Sequence, residues 1–288
     1  MIRFEIEHTT RYRYSRPVFL EPFTVRLRPR SDSTQSLLDF SLAINPSPGG
    51  SSDCVDLDGN DSTFLWFEGL HEELLIETRC RVETRRTNPF DFIVADKNFL
   101  KVPVEYSDRI AVSLAPYLER RDDTSEVADF AKEMAARCRH ETLILLSRLS
   151  FHLGSEFEQE IRETGEPLPP NETLRKRKGS CRDLATLFME ACRSVGLAAR
   201  FVSGYQEGVD TDAKRHMHAW AEIYIPGGGW RGYDPSNGTA VADQHVALAA
   251  AAEAELAAPT SGSFRGTDAT SEMSAEISIR TEPVPPQA

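Results

Sequence analysis

The chain has 288 residues, enough for two hydrophobic cores. Hydrophobic residues make up 40% and charged residues 27%, the balance of a soluble globular protein, and no apolar run approaches the roughly 20 residues of a membrane span. A formal net charge of −12 argues against a nucleic-acid partner.

From Met1 to His8 apolar and polar residues alternate, a strand pattern and not that of a signal peptide, so a cytoplasmic location is expected. Arg11, Arg13, Arg16, Arg26, Arg28 and Arg30 cluster locally. They read either as outward strand positions between Tyr12, Tyr14, Val25 and Leu27 or as a phosphate or RNA site. The five cysteines, Cys54, Cys80, Cys138, Cys181 and Cys192, lack the spacing of a zinc knuckle or redox motif. Reduced thiols are expected, with no cofactor and no resident metal.

Alternating segments recur at 2–8, 12–14, 24–27, 38–44, 64–67 and 74–82, separated by turn chemistry such as Asp58-Gly59-Asn60. They predict a β-sandwich-like domain over 1–105, with 88–103 as a connection. A helix is predicted from about Asp123, where Asp123 and Glu126 resemble a capping box. It carries Val127, Phe130, Ala131, Met134 and a buried Cys138, and a second apolar stretch, 143–149, extends or follows it. After a break at 165–171, Leu184, Leu187, Phe188, Ala191 and Val195 share one helical face, and Gly196 stands where a capping glycine belongs. A strand follows at 199–205, then a hairpin of 218–225 and 230–234. The sequence turns alanine-rich over 247–258 and strand-like at 274–280. The second domain is expected over 106–281, with a disordered tail at 282–288.

Cys181 falls in the first turn of the helix, where unpaired N–H groups and the helix dipole favour a thiolate. The small residues Gly179 and Ser180 leave room for a substrate, and the Cys181 N–H can face an oxyanion. The competing reading is a buried structural cysteine. Cys192 lies beside the apolar stripe and reads as core. A nucleophilic thiol needs a base and an orienting group. His218 begins one hairpin strand and Asp234 ends the next, so both lie at the same end of the pair. A turn within 226–229 places Asp234 about three residues short of a position opposite His218, and a bulge is needed to close the gap. Alternatively, His218 is a polar strand end and Asp234-Pro235 a turn. His216 and His218 also form His-x-His, a zinc half-site that His245 or Asp234 could complete.

These blocks together resemble the bacterial transglutaminase-like superfamily. The resemblance rests on Glu172-Thr-Leu174, Gly179-Ser-Cys-Arg-Asp-Leu-Ala185, Gly196-Leu-Ala-Ala-Arg-Phe-Val-Ser-Gly-Tyr205, His218-Ala-Trp-Ala-Glu-Ile-Tyr224 and Gly229-Trp-Arg-Gly-Tyr-Asp-Pro-Ser-Asn237. Tyr12-Arg-Tyr14, Leu27-Arg-Pro-Arg30 and Asp56-Leu-Asp-Gly-Asn60 are similar to the β-rich domain that precedes the core in one bacterial subgroup. The resemblance implies an α+β fold, with a papain-like core in which a helix bearing the cysteine packs on an antiparallel sheet. It implies Cys181 as nucleophile, His218 as general base and acid, and Asp234 as orienter of the imidazole. Ser180, Asp183, Tyr205 and Trp220 are expected at the cleft, with Asp183 supporting the helix start. One departure is plain: where the subgroup carries Gly-Arg-Asp-Tyr, this chain has Ala251-Ala-Glu-Ala254.

The expected activity is acyl transfer on a peptide or protein amide through a thioester, ending in hydrolysis or transamidation. No membrane partner is expected. The alternatives are a degenerate peptide-binding module and a zinc-dependent hydrolase.

Overall fold

The computed structural model describes residues 1–120, 125–208 and 215–285. Period-two alternation continues past the expected ends of the first two strands, and one 19-residue strand results, β1 (Ile2–Leu20). Strands β2 (Phe23–Val25), β3 (Gln35–Asn45), β4 (Gly50–Val55), β5 (Asp61–Trp66) and β6 (His71–Thr84) follow. In one antiparallel sheet β6 lies between β1 and β3; in a second, β5 lies between β2 and β4. Phe4, Ile6, Leu20, Leu65, Leu74 and Ile76 fill the space between them, each at most 2% exposed. The six arginines form no bare basic face. Arg11 and Arg13 pair with Glu73, Arg26 with Asp56, Arg28 with Asp61 and Arg30 with Asp32, while Arg16 donates to the Thr267 carbonyl.

Helix α1 (Asp108–Leu118) was not expected; it buries only Leu114 and so carries a weak apolar stripe. Helix α2 (Ser125–Arg137) buries Val127, Ala131 and Met134 as predicted, whereas its expected start at Asp123 lies outside the described residues. The apolar stretch beyond is a separate helix, α3 (Thr142–Glu156). Strand β7 (Glu158–Gln159), helix α4 (Pro170–Lys176) and strand β8 (Lys178–Gly179) lead into α5 (Cys181–Ser194). Leu184, Leu187, Phe188 and Ala191 of α5 are buried, and Gly196 ends the helix at φ +81°. The Leu197 N–H returns to the Cys192 carbonyl at 3.0 Å, the six-to-one bond of a Schellman end.

Helix α5 packs on an antiparallel sheet of β9 (Ala199–Gln206), β10 (His218–Ile225), β11 (Gly229–Asp234), β12 (Thr239–Ala240) and β13 (His245–Ala251), in the order β12-β11-β10-β9-β13. The alanine-rich stretch is therefore a strand, and its position explains its composition. Ala249 and Ala251 pack in the α5 core, whereas Val246 and Leu248 pack in the core of the N-terminal sandwich. A strand buried on both faces shows no alternation. Its free edge is covered by two side-chain amides. Gln35 accepts from the Ala247 N–H at 2.8 Å and donates to the Ala247 carbonyl at 2.9 Å. Asn60 makes the same pair with Ala250, at 2.8 and 2.9 Å.

After β14 (Thr260–Ser261) and β15 (Phe264–Arg265), strand β16 (Ser271–Pro283) pairs with β1 from Tyr14↔Ser271 to Ile2↔Pro283. This corrects two expectations. The end of the chain returns to the N-terminal sheet and does not extend the second domain to 281. Glu282 and Pro283, expected in the tail, are in a strand, and the Val284 N–H bonds the Met1 carbonyl at 3.0 Å. Among the described residues, no helix is long and apolar enough to cross a membrane.

Candidate active site

Cys181 is the first residue of α5, and Ser180 is its extended N-cap, with φ −79° and ψ 171°. Asp183, wholly buried, braces this turn. Its Oδ2 accepts from the Ser180 N–H and hydroxyl, both at 2.7 Å, the carboxylate half of a capping box. Its Oδ1 accepts from the Leu168 N–H at 2.7 Å and from Arg162 Nη2 at 2.5 Å. The neighbouring Arg182 donates to the Gly165 carbonyl at 2.5 Å and to the Arg162 carbonyl. Asp183 and Arg182 thus tie the loop before α4 to the helix start and hold its shape around the thiol.

His218 and Asp234 meet without the expected bulge. The turn sets Ile225 opposite Gly229 and Ala221 opposite Tyr233, where the ladder ends. Asp234 is then two residues from the position opposite His218, on the same face, and a diagonal pair is within side-chain reach. His218 Nε2 donates to Asp234 Oδ2 at 2.7 Å. The competing reading of Asp234 as a turn former is also correct, because its two oxygens divide the work. Oδ1 accepts from the Ser236 N–H at 3.0 Å and the Asn237 N–H at 3.2 Å. Oδ2 takes His218, Asn237 Nδ2 at 2.6 Å and His245 Nε2 at 3.0 Å. Ser150 of α3 fixes the strand end by donating to the Asp234 carbonyl at 3.0 Å.

With Nε2 committed to Asp234, Nδ1 of His218 is left for Cys181. Burial alone would raise the Cys181 thiol; the hydrogen bond and charge of His218, the Arg182 charge and the Ala219 N–H outweigh it and lower its pKa. Burial likewise disfavours a charged His218, but Asp234 and Cys181 raise it to about 10. Asp234 is held well below the usual carboxylate range, because His218 and His245 overcome the burial that opposes its charge. All three shifts favour a thiolate–imidazolium–carboxylate arrangement. The other buried thiols go the opposite way: burial pushes Cys80 up to about 12 and raises Cys138 and Cys192.

The structure does not support zinc at His216 and His218. Strand β10 starts at His218, so the two histidines do not share a strand, and His216 Nδ1 lies 3.5 Å from Glu163 Oε1 instead. Among the described residues, the trio with donor atoms close enough for an ion is His218, Asp234 and His245, within 4.8 Å of one another. The sequence offers His245 as a metal ligand and gives no sign of its bond to Asp234. Its place becomes visible only once β13 is known to lie beside β9.

A cleft of about 690 Å³ opens in front of Cys181 and His218, and Ser180 lines it as expected. Tyr205 and Trp220 do not. Each is 1% exposed: Tyr205 accepts or donates at 2.8 Å with His8 Nδ1 in the seam between the sheets, and Trp220 packs against the two site histidines. Asp183 too is a brace behind the cleft. The facing wall was not expected: it comes from the N-terminal sheet, through Thr10 and Tyr12 of β1 and Met273 and Ala275 of β16.

Residues 4–83 match the bacterial transglutaminase-like N-terminal region, and residues 128–235 match the transglutaminase-like superfamily core, which spans α2 to Asp234 and Pro235. The chain belongs to the transglutaminase-like superfamily. A crystal structure from Cytophaga hutchinsonii, provisionally described as a cysteine protease, shares the fold of this transglutaminase-like chain. Its TM-score is 0.73 at 19% identity, over 99% of this chain and 92% of that one. Relatives in sequence include an uncharacterized protein of Mycobacterium leprae, 26% identical over 94% of this chain and 96% of its own. An uncharacterized protein of Mycobacterium bovis is 27% identical over 85% of this chain and 82% of its own.

Proposed function

We propose that this transglutaminase-like protein is a cysteine-dependent acyl-transfer enzyme acting on peptide or isopeptide amides, with Cys181, His218 and Asp234 as its triad. The observation that carries the reading is the His218 imidazole, engaged on one side with the Cys181 thiol and on the other with the buried Asp234 carboxylate. The thiolate attacks the amide carbonyl carbon, and the carbonyl oxygen becomes an oxyanion beside the Cys181 N–H at the start of α5. As the tetrahedral adduct collapses, the C–N bond breaks and the leaving amine takes a proton from the His218 imidazolium. A thioester on Cys181 remains. Water attacks it while His218 takes a proton, and the carboxylic acid leaves as the thiolate reforms; an amine in place of water would give transamidation.

Hydrolysis, with water as the acceptor of the acyl group, is the preferred outcome. Five unpaired thiols suit a reducing compartment, and a cytoplasmic location belongs to this reading. The degenerate-module alternative rests on the Ala251–Ala254 segment. Ala251 and Ala252 are buried and only Ala254 reaches the cleft, so the departure leaves the triad contacts intact. The test is labelling of the native protein with a thiol-directed peptide electrophile and mapping of the adduct by mass spectrometry. A single adduct on Cys181, slowed in His218→Ala, is expected. Modification confined to exposed Cys54, or labelling of Cys181 that is unchanged in His218→Ala, contradicts the triad.

A further inference from the structure

We infer that His245 is a positioning residue of this site: it fixes the Asp234 carboxylate that holds His218 in register with Cys181. The inference rests on the acyl-transfer reading and adds a fourth residue to it. His245 opens β13, on the far side of β9 from His218, and reaches the site because Gly204 lies between them in the sheet, paired with His218 on one side and Ala247 on the other. A Cβ at Gly204 would stand 2.1 Å from the Val246 carbonyl oxygen and 2.7 Å from Trp220 Cη2. The bare glycine leaves the space that Trp220 and the two imidazoles share. Trp220 sets the plane of the His245 ring edge-to-face, at 5.1 Å between centroids and 70°, and the two imidazoles are 5.9 Å apart.

The hydrogen bonding of His245 is lopsided. Nε2 donates to Asp234 Oδ2 at 3.0 Å, whereas Nδ1 is buried and meets no partner among the described residues. Asp234 is thus the one polar anchor of a ring that is 6% exposed. From the carboxylate's side, the backbone N–H groups of Ser236 and Asn237 hold only Oδ1. Oδ2 must resist the pull of His218 through side chains alone, and His245 and Asn237 supply that resistance. With His245 removed, the carboxylate can turn about its Cβ–Cγ bond, and the imidazole it orients turns with it.

The test compares His245→Gln, His245→Asn and His245→Leu in the full chain. The Gln amide nitrogen reaches close to the place of Nε2, while the Asn amide stops short of it. The readout is the second-order rate of Cys181 alkylation by iodoacetamide at pH 7, with thermal midpoints measured in parallel. Loss of a hydrogen bond to a charged group predicts a fall of about tenfold to a hundredfold for Asn and Leu. Gln should restore the rate to within about threefold of wild type. A histidine that only fills space would give equal rates for Gln and Asn, or wild-type rates for Leu, and either result overturns the inference. One stoichiometric metal ion in the purified wild type, absent from the Asn and Leu variants, overturns it in favour of a metal site. His218→Ala separates this from the underlying reading. If that variant is slow while Leu is not, only the role of His245 fails; if it labels as fast as wild type, the triad itself fails.

Discussion

Asp234→Asn changes one atom, and the hydrogen bonds around that side chain say what should follow. The carboxylate accepts from five donors, two on Oδ1 and three on Oδ2. An Asn amide has one acceptor oxygen. If the oxygen takes the place of Oδ2, the NH₂ group faces the Ser236 and Asn237 N–H groups; if it takes the place of Oδ1, the NH₂ group faces His218, His245 and the Asn237 amide. The first orientation is the less costly and leaves unpaired the buried Ser236 N–H and the part-buried Asn237 N–H. At about 1–3 kcal/mol for the buried Ser236 N–H, and less for the Asn237 N–H that solvent can reach, folding stability should fall by about 1–4 kcal/mol. The loss should depend on pH. Asp234 is depressed in the folded state, so its contribution is present above the unfolded value of about 3.9 and is lost as pH falls toward the folded one. His218 is raised, so its contribution is full below about 6.5 and is lost as pH rises through about 10. The deficit of the variant, measured by urea unfolding, should therefore be largest between about pH 4 and 6.5. Catalysis should suffer too, because the amide oxygen still accepts from His218 Nε2 but no longer supplies the counter-charge of its imidazolium, and turnover should fall by about tenfold or more. A variant that keeps wild-type stability at pH 6, and labels and turns over within tenfold of wild type, would refute the reasoning.

Gln35→Leu leaves the buried Ala247 N–H unpaired, its carbonyl keeping the Arg30 N–H, and Asn60→Leu leaves both backbone polar groups of Ala250 unpaired. Each should cost about 1–3 kcal/mol by urea unfolding, and a loss under about 0.5 kcal/mol contradicts the edge-capping account. Turnover of any amide substrate should fall as pH rises through about 10, where His218 loses the proton it gives to the leaving amine, whereas alkylation of Cys181 should not fall there. Coincident decline of both would show that the protein unfolds or that His218 is not the acid.

The α5 start and the core face of the helix were legible in the sequence, because each depends on residues a few positions apart, whereas the order of the three proposed triad residues came from the family resemblance. Ser180 and Asp183 announce the cap locally, and Gly196 the end. What escaped depends on long-range pairing. The Asp234 register looked one residue worse than it is, because a tight turn and a diagonal contact replaced a bulge. Strand β13 hid in an alanine run because it is enclosed by two cores and needs small side chains there. Strand β16 was recognised as a strand, yet its partner lies at the opposite end of the chain, so the domain boundary at 281 and the N-terminal wall of the cleft could not be read. Tyr205 and Trp220 sit in family motifs, but burial decides their place, and burial follows from the packing of two sheets.

The central claim is that Cys181 is an activated thiolate held by His218. Rates of iodoacetamide labelling at each cysteine, mapped by peptide mass spectrometry across pH, test it most directly. Cys181 should react fastest at neutral pH and continue well below the ordinary thiol value of about 8.5, with Cys80, Cys138 and Cys192 protected by burial. In His218→Ala the Cys181 profile should move upward in pH. Labelling of Cys181 only above its ordinary value, or a profile that does not move when His218 is removed, would contradict the account.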